Sequence, residues 1–395
     1  MTPTPDFDVY PETPVIAAAT AGPRWVTVEW ADGTAGRFHH VWLRDNCACP
    51  NCVLPVTKEQ TFELAATTPP CPDGEPAVDA TGALVITWAG ERHRSAFHPG
   101  WLRAHRYDRP PTTPQGPVNW DGATPGLPAT FDGPAVAHDD DALLEWLVAL
   151  RDLGLTRLRD VPCELDAVGR IAERIGPIRE TNFGLLWDVR SEPTPITNAN
   201  TDLALPPHVD LCTREYQPGL QFLHCISNTV PGGRGRYVDG FRVAEILRAE
   251  HPEHYDVLTT MPMARANRSP SSDYRWSAPP IVLDRAGAVT EIRWGNWLRG
   301  PLAVEFESVE AVYAAAAGMT EVAGRDGLAV HIDLRPGDLI AFDNRRVLHG
   351  RSAFDGAAGQ RLLRGCYGER EELHSRLRVL ARRSRSAAIG AAVRP

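Results

Sequence analysis

Pro206-Pro207-His208-Val209-Asp210, together with Leu348-His349-Gly350 and Arg361 far downstream, is the stretch from which both fold and chemistry are read. In an extended strand, residues two apart share a face. His208 and Asp210 are therefore predicted to present an imidazole and a carboxylate to one point. A second, distant histidine, His349, completes a set of two His and one carboxylate. That donor set suits a non-haem Fe(II) ion held on one side, with positions open for substrate and O2.

His-x-Asp recurs elsewhere in the chain, so the pattern alone decides little. His138-Asp139-Asp140 precedes a segment with helical apolar spacing and reads as a helix cap. His331-Ile332-Asp333 ends a strand ahead of the turn Arg335-Pro336-Gly337-Asp338, too near His349 for opposite walls of a barrel.

Eight cysteines are unevenly spread, three of them in Cys47-Ala48-Cys49-Pro50-Asn51-Cys52. With no secretory signal in view, such a cluster reads as metal ligands rather than disulfides. A closed structural zinc site needs four ligands. His93 is the preferred fourth, and His39, His40 and His98 compete with it.

At 395 residues the chain is long enough for two or three domains. A formal net charge of -9, with no long basic run to offset it, argues against a nucleic-acid partner. No run of 18 or more apolar residues suggests a membrane span, so a cytoplasmic location is expected.

The first hundred residues suggest a small β-rich domain. Trp25–Trp30 alternates at period two and meets a hairpin signal at Asp32-Gly33, and Leu84–Trp88 repeats the pattern. A core this small would gain from a zinc staple. Residues 109–133 are rich in Pro, including Pro110, Pro111, Pro114, Pro117, Pro125 and Pro128, and read as a connector between domains 1–108 and 134–382. Helices are predicted at Ala142–Leu153, Leu165–Ile175, Phe241–Ala249 and Ser308–Ala317. Strands are predicted at Thr156–Arg159, around Gly219–Cys225, at Ile281–Leu283, Val289–Trp294, Leu339–Phe342 and Leu362–Tyr367. This is an α+β barrel or sandwich. The basic residues 383–395 read as a frayed tail.

Arg44-Asp45-Asn46-Cys47-Ala48-Cys49-Pro50-Asn51-Cys52, followed by Pro207-His208-Val209-Asp210, Phe342-Asp343-Asn344 and Leu348-His349-Gly350-Arg351, resembles the γ-butyrobetaine dioxygenase family. That family belongs to the taurine-dioxygenase-like Fe(II)/2-oxoglutarate oxygenases. The resemblance spans roughly residues 25–380. It implies a small zinc-binding β-rich N-terminal domain followed by a double-stranded β-helix (jelly-roll) oxygenase domain. Zinc would sit on Cys47, Cys49, Cys52 and His93, and iron on His208, Asp210 and His349. Arg361, with Arg364 as local competitor, would clamp the distal carboxylate of 2-oxoglutarate, the co-substrate consumed with O2.

The implied reaction hydroxylates an unactivated C–H bond while 2-oxoglutarate becomes succinate and CO2, with ascorbate as reductant. Phe183, Trp187 and Tyr367 would form an aromatic cage for a trimethylammonium group, with Asn200 where the family has a fourth aromatic. Asn198 and Asn296 would face the substrate's carboxylate. γ-Butyrobetaine is the expected substrate, and a homodimer the expected assembly. The alternatives are a hydroxylase of another small amine, such as a trimethylated amino acid or an aminophosphonate-like molecule, and an inactive binding protein.

Overall fold

The computed structural model describes residues 2–10, 13–63, 69–109, 116–191, 198–269 and 271–392, the stretch 386–392 as backbone alone. They divide into two units, Met1–Gln115 with Arg382–Pro395, and Gly116–Ala381.

In the first unit β1 (Ile16–Ala21), β2 (Trp25–Trp30) and β3 (Ala35–His39) form an antiparallel sheet. The alternation in β2 buries Val26, Val28 and Trp30 and leaves Glu29 exposed. Its turn runs through Asp32-Gly33 as expected: Gly33 takes φ 80°, which suits a residue without Cβ, and Asp32 accepts from the Thr34 N–H. After α1 (His40–Asp45), a second sheet of β4 (Ala77–Val78), β5 (Leu84–Trp88) and β6 (His93–Phe97) leads into α2 (Pro99–Ala104). One core that includes Val28, Trp30, Phe38, Ile86, Trp88 and Trp101 joins the two sheets.

The strands of the second unit are β7 (Ala129–Asp132), β8 (Leu155–Arg159), β9 (Trp187–Val189), β10 (Leu205–His208), β11 (Leu220–Asn228), β12 (Gly235–Asp239), β13 (Met263–Ser269), β14 (Ser272–Ala278), β15 (Ile281–Leu283), β16 (Val289–Ile292), β17 (Ala329–Ile332), β18 (Leu339–Asp343), β19 (Val347–Arg351) and β20 (Arg361–Gly368). Its helices are α3 (Gly133–His138), α4 (Asp140–Leu153), α5 (Ala167–Glu173), α6 (Gly240–Glu250), α7 (Pro252–Thr260), α8 (Val309–Gly324) and the start of α9 (Arg370–Ala392).

Two sheets carry the architecture, ordered β7-β8-β18-β11-β20-β9 and β10-β19-β12-β17. β11 shows how they share the work. Leu220 and Phe222 face a helix-covered core with Leu147, Leu150, Val168 and Ile171, whereas Leu223 and Cys225 join Tyr237, Val330, Ile340 and Phe342 in another cluster. A third core packs α6, α7 and α8 around Val243, Leu247, Leu258, Val312 and Met319. Burial on this scale contributes about 25 cal/mol for each Å² of apolar surface removed from water.

Four features differ from expectation or refine it. From Gly116 onward the Pro-rich stretch belongs to the second unit: Val118 N–H donates to the Asp152 carbonyl, Trp120 is buried, and β7 pairs with β8. Pro110, Pro111 and Pro114 lie outside the described residues. α8 continues past Ala317 because Met319, Val322 and Ala323 extend its buried stripe. The tail read as frayed is helical as far as Ala392. His138-Asp139 is the cap it was read as, with the Asp139 carboxylate accepting from the Ala142 N–H at 2.7 Å.

Candidate active site and metal clusters

β10 and β19 run antiparallel with His208 and His349 in register. Side chains directly opposite on neighbouring strands touch, and here the ring centroids lie 4.2 Å apart. A Cβ on Gly350 would come within 2.4 Å of the Leu205 carbonyl oxygen, so glycine is what lets β10 lie this close. Asp210 arrives by a different route from the shared strand face predicted. β10 ends at His208, and the carboxylate sits in the turn beyond it, where Leu211 takes φ 55°. The Asn344 side chain pins that turn, its Oδ1 accepting from Asp210 N–H at 2.8 Å and its Nδ2 donating to the Asp210 carbonyl at 3.0 Å.

Asp210 Oδ1 then lies 3.3 Å from His208 Nε2 and 3.7 Å from His349 Nε2. Adjacent corners around an octahedral ion with bonds of about 2.1 Å are roughly 3.0 Å apart, so the three donors fit one ion. The Pro206 carbonyl accepts from Nδ1 of His208 at 3.0 Å, which fixes the tautomer that leaves Nε2 bare. Burial, then the neighbouring His208, pulls His349 down to about 3. Burial pushes Asp210 up, but the imidazoles and the Tyr367 hydroxyl outweigh it and hold the carboxyl below the usual range. An imidazole held neutral at His349 beside an ionised carboxylate is what a divalent cation needs.

Two residues close the other side of Asp210. Gln221 Nε2 and the Tyr367 hydroxyl each donate to Oδ2 at 2.8 Å, which leaves Oδ1 toward the histidines. Gln221 was not anticipated, although its signal was present as the polar interruption in Leu220-Gln221-Phe222-Leu223. Trp297, also unanticipated, packs its ring 4.5 Å from that of His208.

The triad opens into a cavity lined also by Phe183, Trp187, Asn198, Asn200, Tyr367 and Arg361. Trp187 and Tyr367 lie with ring centroids 5.0 Å apart. Gly365 makes this possible, because a Cβ there would meet the Trp187 ring at 2.5 Å. Asn200 Nδ2 donates to the Arg190 carbonyl. Asn296 does not line this cavity; Trp297 and Leu298 from the same turn do, and so does Asn267 of β13. Arg361, at the start of β20, is 8% exposed, and among the described residues neither its Nε nor its Nη1 has a hydrogen-bond partner. A buried guanidinium without an acceptor fits a carboxylate arriving in the cavity. Its competitor Arg364 is already engaged, Nη1 to Asp188 Oδ1 at 2.6 Å.

In the first unit, His93 Nε2 lies 3.3, 3.8 and 3.6 Å from the sulfurs of Cys47, Cys49 and Cys52. Bonds of about 2.0–2.3 Å to zinc place tetrahedral donors roughly 3.6 Å apart, so this Cys3His cluster is compatible with zinc. Burial raises the Cys47 thiol and takes Cys52 to about 12, while Arg44 donates to the Cys52 sulfur at 3.3 Å. The competing histidines are occupied elsewhere. His39 stacks on Tyr107, His98 caps α2, and His40 is buried in the core, where desolvation lowers its pKa.

Residues 112–367 match the family described as taurine catabolism dioxygenase TauD, TfdA, and residues 19–103 match the gamma-butyrobetaine hydroxylase-like N-terminal family. The chain is 44% identical to gamma-butyrobetaine dioxygenase of Pseudomonas sp. (strain AK-1), covering 95% of this chain and 99% of that protein. It is 29% identical to human gamma-butyrobetaine dioxygenase over 93% of this chain and 97% of that one. Trimethyllysine dioxygenase of Meyerozyma guilliermondii is 27% identical, with 90% and 93% covered.

Proposed function

The chain belongs to the TauD, TfdA dioxygenase family, and on that footing we propose that it hydroxylates γ-butyrobetaine to carnitine, with the residues described above in the roles that follow. Dependence on Fe(II), 2-oxoglutarate and O2 fits the family. The observation that carries the residue assignment is the meeting of His208, Asp210 and His349, with donor atoms within 4.8 Å of one another, in the cavity that Arg361 lines with its unpaired guanidinium.

His208, Asp210 and His349 would hold the iron. When bound, it would activate O2, which supplies the oxidising equivalents both for loss of CO2 from 2-oxoglutarate and for insertion of oxygen into a C–H bond. Gln221 and Tyr367 fix the rotamer of Asp210, so that one oxygen faces the metal. Arg361 orients 2-oxoglutarate through its distal carboxylate. Leu223, Leu363, Val189 and Leu298 line the cavity with apolar surface that excludes water.

On the substrate side, Phe183, Trp187 and Tyr367 cradle the trimethylammonium group, each aromatic contact contributing about 0.5–2 kcal/mol. Asn198 takes the carboxylate end, and Asn200 stands in the fourth cage position without a ring. Zinc on Cys47, Cys49, Cys52 and His93 staples the first unit. Ascorbate as reductant, a homodimer and a cytoplasmic location complete the proposal on the resemblance. Among the described residues no helix is long and apolar enough to cross a membrane.

The substrate assignment is tested by comparing kcat/KM for γ-butyrobetaine and Nε-trimethyllysine with purified, iron-loaded protein. Preference for γ-butyrobetaine is the expected result. Preference for trimethyllysine keeps the oxygenase and overturns the substrate, with Asn200 the first position to exchange for an aromatic.

A further inference from the structure

Arg265, on β13, is 4% exposed, yet no carboxylate among the described residues pairs with it. Its Nε has no acceptor. Nη1 reaches only the carbonyl of the adjacent Ala264 at 3.4 Å, and Nη2 reaches only the Met263 sulfur at 3.9 Å. The guanidinium carbon lies 5.1 Å from the ring centre of Trp294, and burial lowers its pKa. A buried cation left this way calls for an anion.

The surroundings supply a place for one. Arg265 lines a cavity of about 450 Å³ together with Asn296, Trp297, Arg299 and Tyr313, and among the described residues no Asp or Glu lines it. Arg299 and Tyr313 are exposed and form the mouth. Arg299 spends only its Nε on a neighbour, the Asn296 carbonyl at 2.9 Å. The cavity therefore offers one cation within, one at the entrance and an amide in its wall.

We propose that this cavity binds a small dicarboxylate of the succinate class at a site separate from the catalytic one. Two guanidinium groups at different depths match two carboxylates better than one. Trp297 lines both cavities and packs against His208, so an occupant would lie one side chain away from the metal-binding histidine.

The test is calorimetry with succinate on full-length, zinc-loaded, iron-free protein, in wild type and in Arg361→Met, which removes the catalytic clamp without filling either cavity with another dicarboxylate. One succinate per chain that persists in Arg361→Met is expected. Arg265→Leu should weaken it by roughly tenfold or more and Arg299→Ala by a few-fold, with Arg265→Lys between wild type and Arg265→Leu. Arg299 is exposed, so its variant remains informative if Arg265→Leu fails to fold. No binding by the wild type, or equal binding by all variants, overturns the proposal. So does a dimer that Arg265→Leu dissociates in ultracentrifugation, which would mean a carboxylate of a second copy meets Arg265. Succinate binding unchanged between wild type and Arg361→Met, with Arg265→Leu still weakening one site, faults the catalytic assignment alone.

Discussion

The Tyr367 hydroxyl donates to Oδ2 of Asp210 at 2.8 Å, so one residue belongs to both the aromatic wall and the support of the triad carboxylate. Register places it there: on β20 Tyr367 pairs with Gln221 of β11, and both side chains converge on the same oxygen. Tyr367→Phe keeps the ring and deletes the donor. Fe(II) affinity is expected to fall about fivefold, the equivalent of about 1 kcal/mol for one hydrogen bond, while KM for the cationic substrate stays near wild type. Fe(II) titration alongside steady-state kinetics separates the two. A large rise in substrate KM with unchanged iron affinity would assign the hydroxyl to the substrate instead.

Arg361→Met removes the only buried guanidinium of the catalytic cavity with two unpaired nitrogens among the described residues. Loss of a charge-assisted pair of about 2–3 kcal/mol predicts a KM for 2-oxoglutarate roughly 30- to 150-fold higher. Arg364→Met, whose guanidinium holds Asp188, should leave that KM within about threefold. The reverse ranking would move the carboxylate clamp to Arg364.

Much of this site was legible because metal and anion chemistry restrict residue types more than they restrict backbone. His208 and His349 are close in space because β10 and β19 pair; the sequence carries the His-x-Asp spacing and the distant histidine, but no strand is predicted at Val347–Arg351. The turn that brings Asp210 round was not legible. It depends on Asn344, held in place by contacts that no local pattern encodes. Asn296 and Trp297 are adjacent in sequence, and only the three-dimensional turn decides which of them lines the cavity. The strand expected ahead of Arg335 is β17, whereas the hairpin β13–β14 and the strand β12 were also missed. Arg236, Arg265 and Arg275 interrupt their apolar alternation, and tertiary pairing overrides so weak a signal.

His224, fully buried in β11, has its pKa lowered by desolvation. The folded state therefore keeps it neutral, while the unfolded chain protonates it below about pH 6.5. Between that value and the depressed folded pKa the unfolded state binds more protons, so stability is lost as pH falls through this window. His224→Leu should flatten the acid side of the stability curve, measured as urea midpoint against pH. An unchanged slope would place the acid sensitivity in other groups.

Cys49→Ser should cost zinc and thermal stability of the first unit while leaving iron in place. Because burial raises the thiols of Cys47 and Cys52, zinc uptake at neutral pH must displace their protons. Affinity should therefore tighten as pH rises, with proton release seen by calorimetry in buffers of different ionisation enthalpy. Loss of iron rather than zinc in Cys49→Ser would mean the two metal assignments are exchanged.

The most direct measurement is succinate formed by the iron-loaded protein with 2-oxoglutarate and ascorbate, with and without γ-butyrobetaine, in wild type and His349→Ala. Strong stimulation by γ-butyrobetaine, abolished in His349→Ala with zinc still bound, is the predicted result. Turnover that persists in His349→Ala, or a wild type with iron bound and no turnover at all, would contradict it.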